Sequence, residues 1–302
     1  MLTRRRLIAI SAAMALVPAQ GRAAPRIWTG QALGARASIR LDHPQADVIA
    51  RRVLAEIDRL EGILSLYRAD SALARLNRDG RLDAPPFELL DCLSIAGAVH
   101  HASGGRFDPT VQPIWALWAE AAAAGGRPGA AALAAALAQT GWNRVRLDPT
   151  RITLAPGMAL TLNGIAQGYV ADRVAALLKA EGLGEILIDT GELRALGGAP
   201  GGGDWPVQLA GGGSLRLRDR ALATSAPLGT CFDGAGLDGH ILDPFTGTPA
   251  AAAWHQISIS APTAVLADAL STAACLLPDE AGIHALIARF ADVRAEAMRR
   301  AG

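Results

Sequence analysis

Asp268 and Thr272 stand four residues apart in Ala267-Asp-Ala-Leu-Ser-Thr-Ala273. If the segment is helical, that spacing puts a carboxylate and a hydroxyl on one face, directed at a common point. Hard oxygen donors of this kind suit Mg²⁺, which binds through one or two protein carboxylates and leaves its other positions to water and substrate phosphate. The same pair also suits a capped or solvated helix face.

Three further segments carry polar groups that an ordinary core would not need. In Leu160-Thr-Leu-Asn-Gly-Ile-Ala-Gln-Gly-Tyr169 an apolar run passes through Gly164 into a helical pattern. A bare glycine backbone and free amides at a helix start can meet a phosphate or a metal, although glycine turns of this kind also occur with no ligand. In His240-Ile-Leu-Asp-Pro-Phe-Thr-Gly247 an imidazole precedes a carboxylate by three residues, and the proline holds Asp243 extended at the head of a turn. His240 is either a general base near neutral pH or a brace for that turn. Gly104-Gly-Arg-Phe-Asp-Pro-Thr-Val-Gln-Pro-Ile-Trp-Ala-Leu-Trp118 joins a glycine turn and an Asp-Pro step to two tryptophans at helical spacing. Such rings stack a planar ligand or fill core. Tyr67, within Leu64 to Asn77, flanks the same ligand or caps the preceding helix.

These groups must be held by ordinary secondary structure, and the pattern of apolar residues predicts which. Alternation from Ala32 to Leu41 predicts a strand. From Ala46 to Leu64 the residues Ile49, Val53, Leu54, Ile57, Leu60 and Leu64 recur at three-and-four spacing, the mark of a helix with one buried face. Further helices are expected over Phe87 to Ala102, on either side of the Gly125–Gly129 loop, and from Gln167 to Glu181. Val145 to Leu147 and Ile152 to Leu154 read as a hairpin, and Leu160 to Leu162 as a strand. Short strands follow at Glu185–Asp189, Val207–Leu209, Ser214–Leu217, Ala221–Thr224 and Gln256–Ser260, punctuated by Gly, Pro and Asp. Ala264–Leu277 and Gly282–Phe290 close the chain as helices. Helix runs and strand runs without regular alternation indicate an α+β (mixed α/β) fold with a strand-rich second half.

The chain has 302 residues and a formal net charge of +1, with no dense basic patch after Arg6, which argues against nucleic acid as a partner. Aromatics are only 4% of residues, so the core should be aliphatic. Met1 to Arg6 carries three arginines ahead of the apolar run Leu7 to Val17, and small residues follow to Ala24. That pattern reads as a signal peptide over residues 1–24, suited to twin-arginine export, rather than a permanent anchor. Residues 25–302 then form one periplasmic domain. Cys92, Cys231 and Cys275 lack metal-ligand spacing, and one disulfide is the most they could form.

In order and spacing these segments resemble the FAD:protein FMN transferase (ApbE) family. The likeness runs from Ala32 to Leu277 through Leu33-Gly34, Leu64–Asn77, Gly105–Trp118, the Gly-Ile-Ala-Gln-Gly-Tyr stretch ending at Asp172, His240–Gly247 and Ala267–Thr272. It implies an FAD-binding cleft with Mg²⁺ held at Asp268, Thr272 and the backbone of Gly164. It also implies FAD contacts at Leu33, Tyr67, Arg106, Phe107, Asp108, Thr161, Gln167 and Leu242. Asp268 and His240 are the candidate bases. The implied reaction moves FMN from FAD to a threonine or serine of a partner protein and releases AMP. Flavin-bearing subunits of electron-transfer complexes are the implied acceptors.

The chain departs from the family pattern at several of these positions. Thr161 stands where the family often has Asp, Gln167 where it has Lys or Glu, and Ala35 where it has Thr. Ser225-Ala-Pro-Leu-Gly-Thr-Cys231 lacks the glycine after the serine and the arginine a few residues on. An FAD-binding protein or FAD pyrophosphatase, and a non-catalytic assembly factor of a redox complex, are the competing readings.

Overall fold

The computed structural model describes residues 13–15, 26–41, 44–209, 211–251 and 253–301. The expected leader therefore lies outside the described residues apart from β1 (Ala13–Ala15). In chain order β2 (Arg26–Ala32) and β3 (Ala35–Leu41) precede α1 (Ala46–Leu64), α2 (Ala72–Asp79), β4 (Arg81–Asp83) and α3 (Phe87–Ala102). Next come α4 (Gln112–Ala123), α5 (Ala130–Leu137), β5 (Arg146–Asp148), β6 (Arg151–Thr153), α6 (Ala166–Ala180), β7 (Ile186–Asp189) and β8 (Leu193–Leu196). The last elements are β9 (Trp205–Leu209), β10 (Ser214–Leu217), β11 (Ala221–Ser225), β12 (Trp254–Ala261), α7 (Ala264–Ala274), α8 (Glu280–Ile287) and β13 (Arg294–Arg300).

Seven strands form one antiparallel sheet in the order β2-β3-β7-β8-β11-β12-β13, so position across the sheet follows position in the chain. Two further three-stranded sheets, β1-β9-β10 and β4-β6-β5, are separate from it. Helix α7 packs on β11 and β12 and also against α6 and α3, which places it between the sheet and the helical layer. The core is aliphatic as expected, with Ile49, Leu60, Leu73, Leu93 and Leu160 at or near zero exposure and Trp254 as a rare aromatic anchor. Among the described residues no helix is long and apolar enough to cross a membrane.

Helices α1 and α3 span the residues expected of them. Other elements differ, each for a local reason. The strand expected over Ala32–Leu41 starts at Ala35 as β3, the second arm of a hairpin with β2 in which Ala32 lies opposite Ala35 and Leu33-Gly34 is the turn. Both turn residues have positive φ, 51° and 87°, the requirement of a tight two-residue hairpin. Leu33 therefore bears a strain of roughly 1 kcal/mol, offset by its amide donating to Glu61 Oε1 at 2.6 Å.

Leu160–Leu162 joins no sheet, and the Asn77 side chain bonds Leu160 where a neighbouring strand would. Its amide donates to the Leu160 carbonyl at 2.8 Å, and its oxygen accepts from the Leu160 amide at 2.7 Å. The chain does not close on a helix. Helix α8 stops at Ile287, and Arg294–Arg300 returns as the strand β13 against β12. Helix α2 and strands β2, β4 and β8 form where the apolar pattern predicts no element. All three cysteines are free thiols, so the one disulfide allowed by the sequence is not formed.

Candidate active site

Helix α7 brings Asp268 and Thr272 to one cleft, as their spacing requires. The Gly164 bend, at the entrance to α6, forms the opposite wall. A Cβ on Gly164 would come 2.9 Å from Thr272 Oγ1, so only glycine leaves this gap between bend and helix. Arg106, Phe107, Asp108, Thr161, Gln167, His240 and Leu242 line the same cleft. Ten of the twelve residues nominated from the sequence thus converge. Leu33 sits half-buried at its hairpin turn and outside the cleft lining. Tyr67 is 56% exposed at the rim, with its hydroxyl 3.5 Å from the Nδ2 of Asn163, a cleft residue.

Each wall is fixed by a bond that explains its sequence. Asp108 accepts from the Thr110 amide at 2.8 Å and the Thr110 hydroxyl at 2.6 Å, capping the short 3₁₀ turn that begins α4. The Pro109 carbonyl then receives the Thr161 amide at 2.8 Å, which ties the two walls together. Arg106 Nη1 reaches Asp243 Oδ2 at 2.6 Å, and its guanidinium lies 4.9 Å over the Phe245 ring. Asp243 therefore serves Arg106 and not His240. Of the two tryptophans, Trp118 is core, stacked on Phe232 with its Nε1–H given to the Gly247 carbonyl at 2.8 Å. Trp115 faces the cleft.

The floor is acidic. Burial pushes the Asp268 carboxyl up to about 7, against the pull of the Gly168 amide, which donates to Oδ2 at 3.0 Å. Glu192, in the β7–β8 turn, also lines the cleft. Burial, then the charges of Asp268 and Asp189, hold it well above the usual carboxylate range, against the Thr224 amide. No basic side chain offsets this pair among the described residues. Burial also lowers the pKa of His240, although the Thr230 and Pro227 carbonyls oppose the shift. Its Nδ1 lies 3.0 Å from the Thr230 carbonyl, which can only accept, so the neutral ring keeps its lone pair on Nε2.

Glu192 and Ser225 are cleft residues that sequence reasoning did not nominate. A glycine-acid step between two apolar runs, Thr190-Gly-Glu-Leu193, was the available signal for Glu192. Among the described residues no group of three or more His, Cys, Asp or Glu side chains is placed to hold a metal. What the cleft floor offers instead is the Asp268 and Glu192 carboxylates with the Thr272 hydroxyl and the Gly164 backbone beside them, a donor set that fits a hard cation completed by phosphate and water.

The ApbE family model matches residues 33–295. The chain belongs to the ApbE family. It is 33% identical to the FAD:protein FMN transferase of Treponema pallidum, over 78% of this chain and 73% of that one. It is 27% identical to a FAD:protein FMN transferase of Klebsiella pneumoniae, over 88% of this chain and 82% of the other. Among solved structures, the apo form of Pseudomonas stutzeri flavinyl transferase ApbE superposes with a TM-score of 0.76 at 29% identity, covering 88% of each chain. The ApbE protein of Thermotoga maritima shares the fold with a TM-score of 0.78 at 24% identity, over 92% of this chain and 97% of that one.

Proposed function

We propose that this ApbE-family chain is a transferase that moves FMN from FAD to a serine or threonine hydroxyl of a partner protein, with Mg²⁺, releasing AMP. The observation that carries the reading is the meeting of Asp268 and Thr272 with the Gly164 bend above an acidic floor that has no basic partner among the described residues. Asp268, Thr272 and the Gly164 carbonyl would hold the cation. When bound, Mg²⁺ supplies charge neutralisation for a pyrophosphate and fixes the nucleotide for in-line displacement.

The chain's own residues do the remainder. The acceptor oxygen bonds to the phosphorus of the FMN half, the pyrophosphate P–O bond breaks, and AMP leaves with the electron pair. His240, neutral through burial and with its Nδ1 proton on the Thr230 carbonyl, takes the hydroxyl proton. Asp268 is less suited to that task, because one of its oxygens is engaged by the Gly168 amide and the group is assigned to the cation. Arg106 and Trp115 provide a charge and an aromatic face for the nucleotide. With Thr161 and Gln167 uncharged, neither residue adds a carboxylate or a cation to the flavin side.

The arginine-rich amino end and its apolar run support export to the periplasm, where the acceptor would be a flavin-bearing subunit of an electron-transfer complex. The test is incubation of purified protein with FAD, Mg²⁺ and an acceptor domain, followed by in-gel flavin fluorescence. Fluorescence on the acceptor, lost in Asp268→Ala, is the expected result. Free FMN and AMP without a labelled acceptor would make the chain an FAD pyrophosphatase.

A further inference from the structure

Asp172 ends the glycine-rich motif, yet it is outside the cleft lining and has no part in the reaction above. It projects from the second turn of α6 to the start of α7. There Oδ1 accepts from the Ala264 amide and Oδ2 from the Val265 amide, each at 2.9 Å. These are the first two residues of α7, and the helix's own N-cap residue, Thr263, makes no side-chain capping bond. The return contact is made by the cation-site carboxylate. Asp268, on α7, accepts from the amide of Gly168, the third residue of α6, whose N-cap residue Ile165 also makes no side-chain capping bond. Each helix thus satisfies free amides at the other's start, a duty normally met within one helix.

The exchange depends on very close approach. A Cβ on Gly168 would stand 2.2 Å from the Ala264 carbonyl oxygen, so the two backbones touch where the bonds cross. Arg194 Nε lies 3.2 Å from Asp172 Oδ1 and supplies the charge that keeps the half-buried carboxylate in place. A carboxylate gripping two successive amides fixes both the height of a helix along its axis and its rotation about that axis. Asp268 lies one turn further on and Thr272 one turn beyond it.

We propose that Asp172 is the positioning residue of the cation site: by holding the Ala264 and Val265 amides it sets the register of α7, and with it the places of Asp268 and Thr272 against Gly164. This rests on the cation reading given under the proposed function. Asparagine at 172 would keep one acceptor and turn an NH₂ group toward an amide, releasing the second grip.

The test titrates Mn²⁺ against the full-length protein in the presence of ADP, which carries a pyrophosphate but no FMN, and reads free Mn²⁺ by its electron paramagnetic resonance signal after subtraction of a nucleotide blank. Wild type, Asp268→Ala, Asp172→Asn and Val174→Ala are compared, the last a cavity at a fully buried α6 residue away from the capping bonds. Asp172→Asn is expected to weaken Mn²⁺ binding about tenfold, the usual effect of removing the support behind a metal ligand. Its half-saturating Mg²⁺ in flavin transfer should rise in parallel. Val174→Ala should lower Tm and leave Mn²⁺ affinity unchanged. Asp172→Glu keeps the charge one methylene farther out and serves where the Asn chain does not fold; it too should weaken binding. Wild-type affinity in the Asp172 variants, with binding lost in Asp268→Ala, would overturn the positioning role alone. Equal uptake by wild type and Asp268→Ala would overturn the cation reading and this inference together.

Discussion

Ser225 Oγ lies 3.3 Å from Thr272 Oγ1 and 2.7 Å from Ser271 Oγ, and the three hydroxyls form a chain with a single direction. Ser271 gives its proton to the Asp268 carbonyl at 3.0 Å. Each hydroxyl has one proton to donate, so Ser225 must donate to Ser271, and Thr272 must donate to Ser225. The lone pairs of Thr272 are thereby left for the cleft.

Ser225→Ala should therefore raise the Mg²⁺ concentration needed for half-maximal activity severalfold while reducing stability by about 2 kcal/mol, the worth of its two hydrogen bonds. A Mg²⁺ titration of flavin transfer, beside a denaturant melt, checks both. An unchanged Mg²⁺ requirement would show that Thr272 needs no such orientation.

The acidic floor makes a prediction about pH. Asp268 has a folded-state pKa raised to about 7 from 3.8 by burial. The contribution this makes to stability is fully present below the lower value and is lost as pH rises through the higher one. In chelator, Tm should fall between pH 5 and pH 8, and Asp268→Asn should flatten that slope. Added Mg²⁺ should restore stability most at pH 8, where the carboxylate is ionised. Scanning calorimetry with and without the cation measures it.

Two glycines should fail in different ways. Gly168→Ala sets a Cβ 2.2 Å from a backbone oxygen of α7, which cannot rotate away. Loss of about 3 kcal/mol or more is expected as the helices part, with activity lost as well. Gly164→Ala meets the Thr272 side chain instead, at 2.9 Å. That threonine can turn, so Tm should change little while Mg²⁺ dependence worsens. Thermal melts and Mg²⁺ titrations of the two variants separate the cases.

Asn77 stands in for a strand beside Leu160. Asn77→Ala leaves a buried backbone donor and acceptor without partners, which costs about 2 kcal/mol. Because Thr161 and Gly164 follow directly, kcat/KM for FAD should fall as well. Retained kcat/KM with lowered stability would show that the Pro109–Thr161 bond alone holds this wall.

What could be read from the chain was whatever depends on near neighbours. Helices α1 and α3 announce themselves by periodicity over their whole length, and Asp268 and Thr272 share a face through their spacing within α7. Glu192 lies in the turn before β8 and Ser225 ends β11, and only pairing across the sheet brings the two to the cleft, so local spacing alone does not place them there. Leu160–Leu162 has a strand's composition, but Leu160 is bonded by a side chain 83 residues away and Thr161 by the Pro109 carbonyl, which no local pattern encodes. The alternation in Arg294–Arg300 is too alanine- and arginine-rich to mark a strand, and β12 supplies what its own residues lack.

Since the large sheet lists its strands in the same sequence as the chain, a ribosome delivers them from one edge to the other, and each newcomer finds its partner already made. Helix α7 emerges between the last two. The catalytic centre is therefore among the final parts to be assembled, and a nascent chain halted before β12 would carry most of the sheet yet lack the helix that bears Asp268.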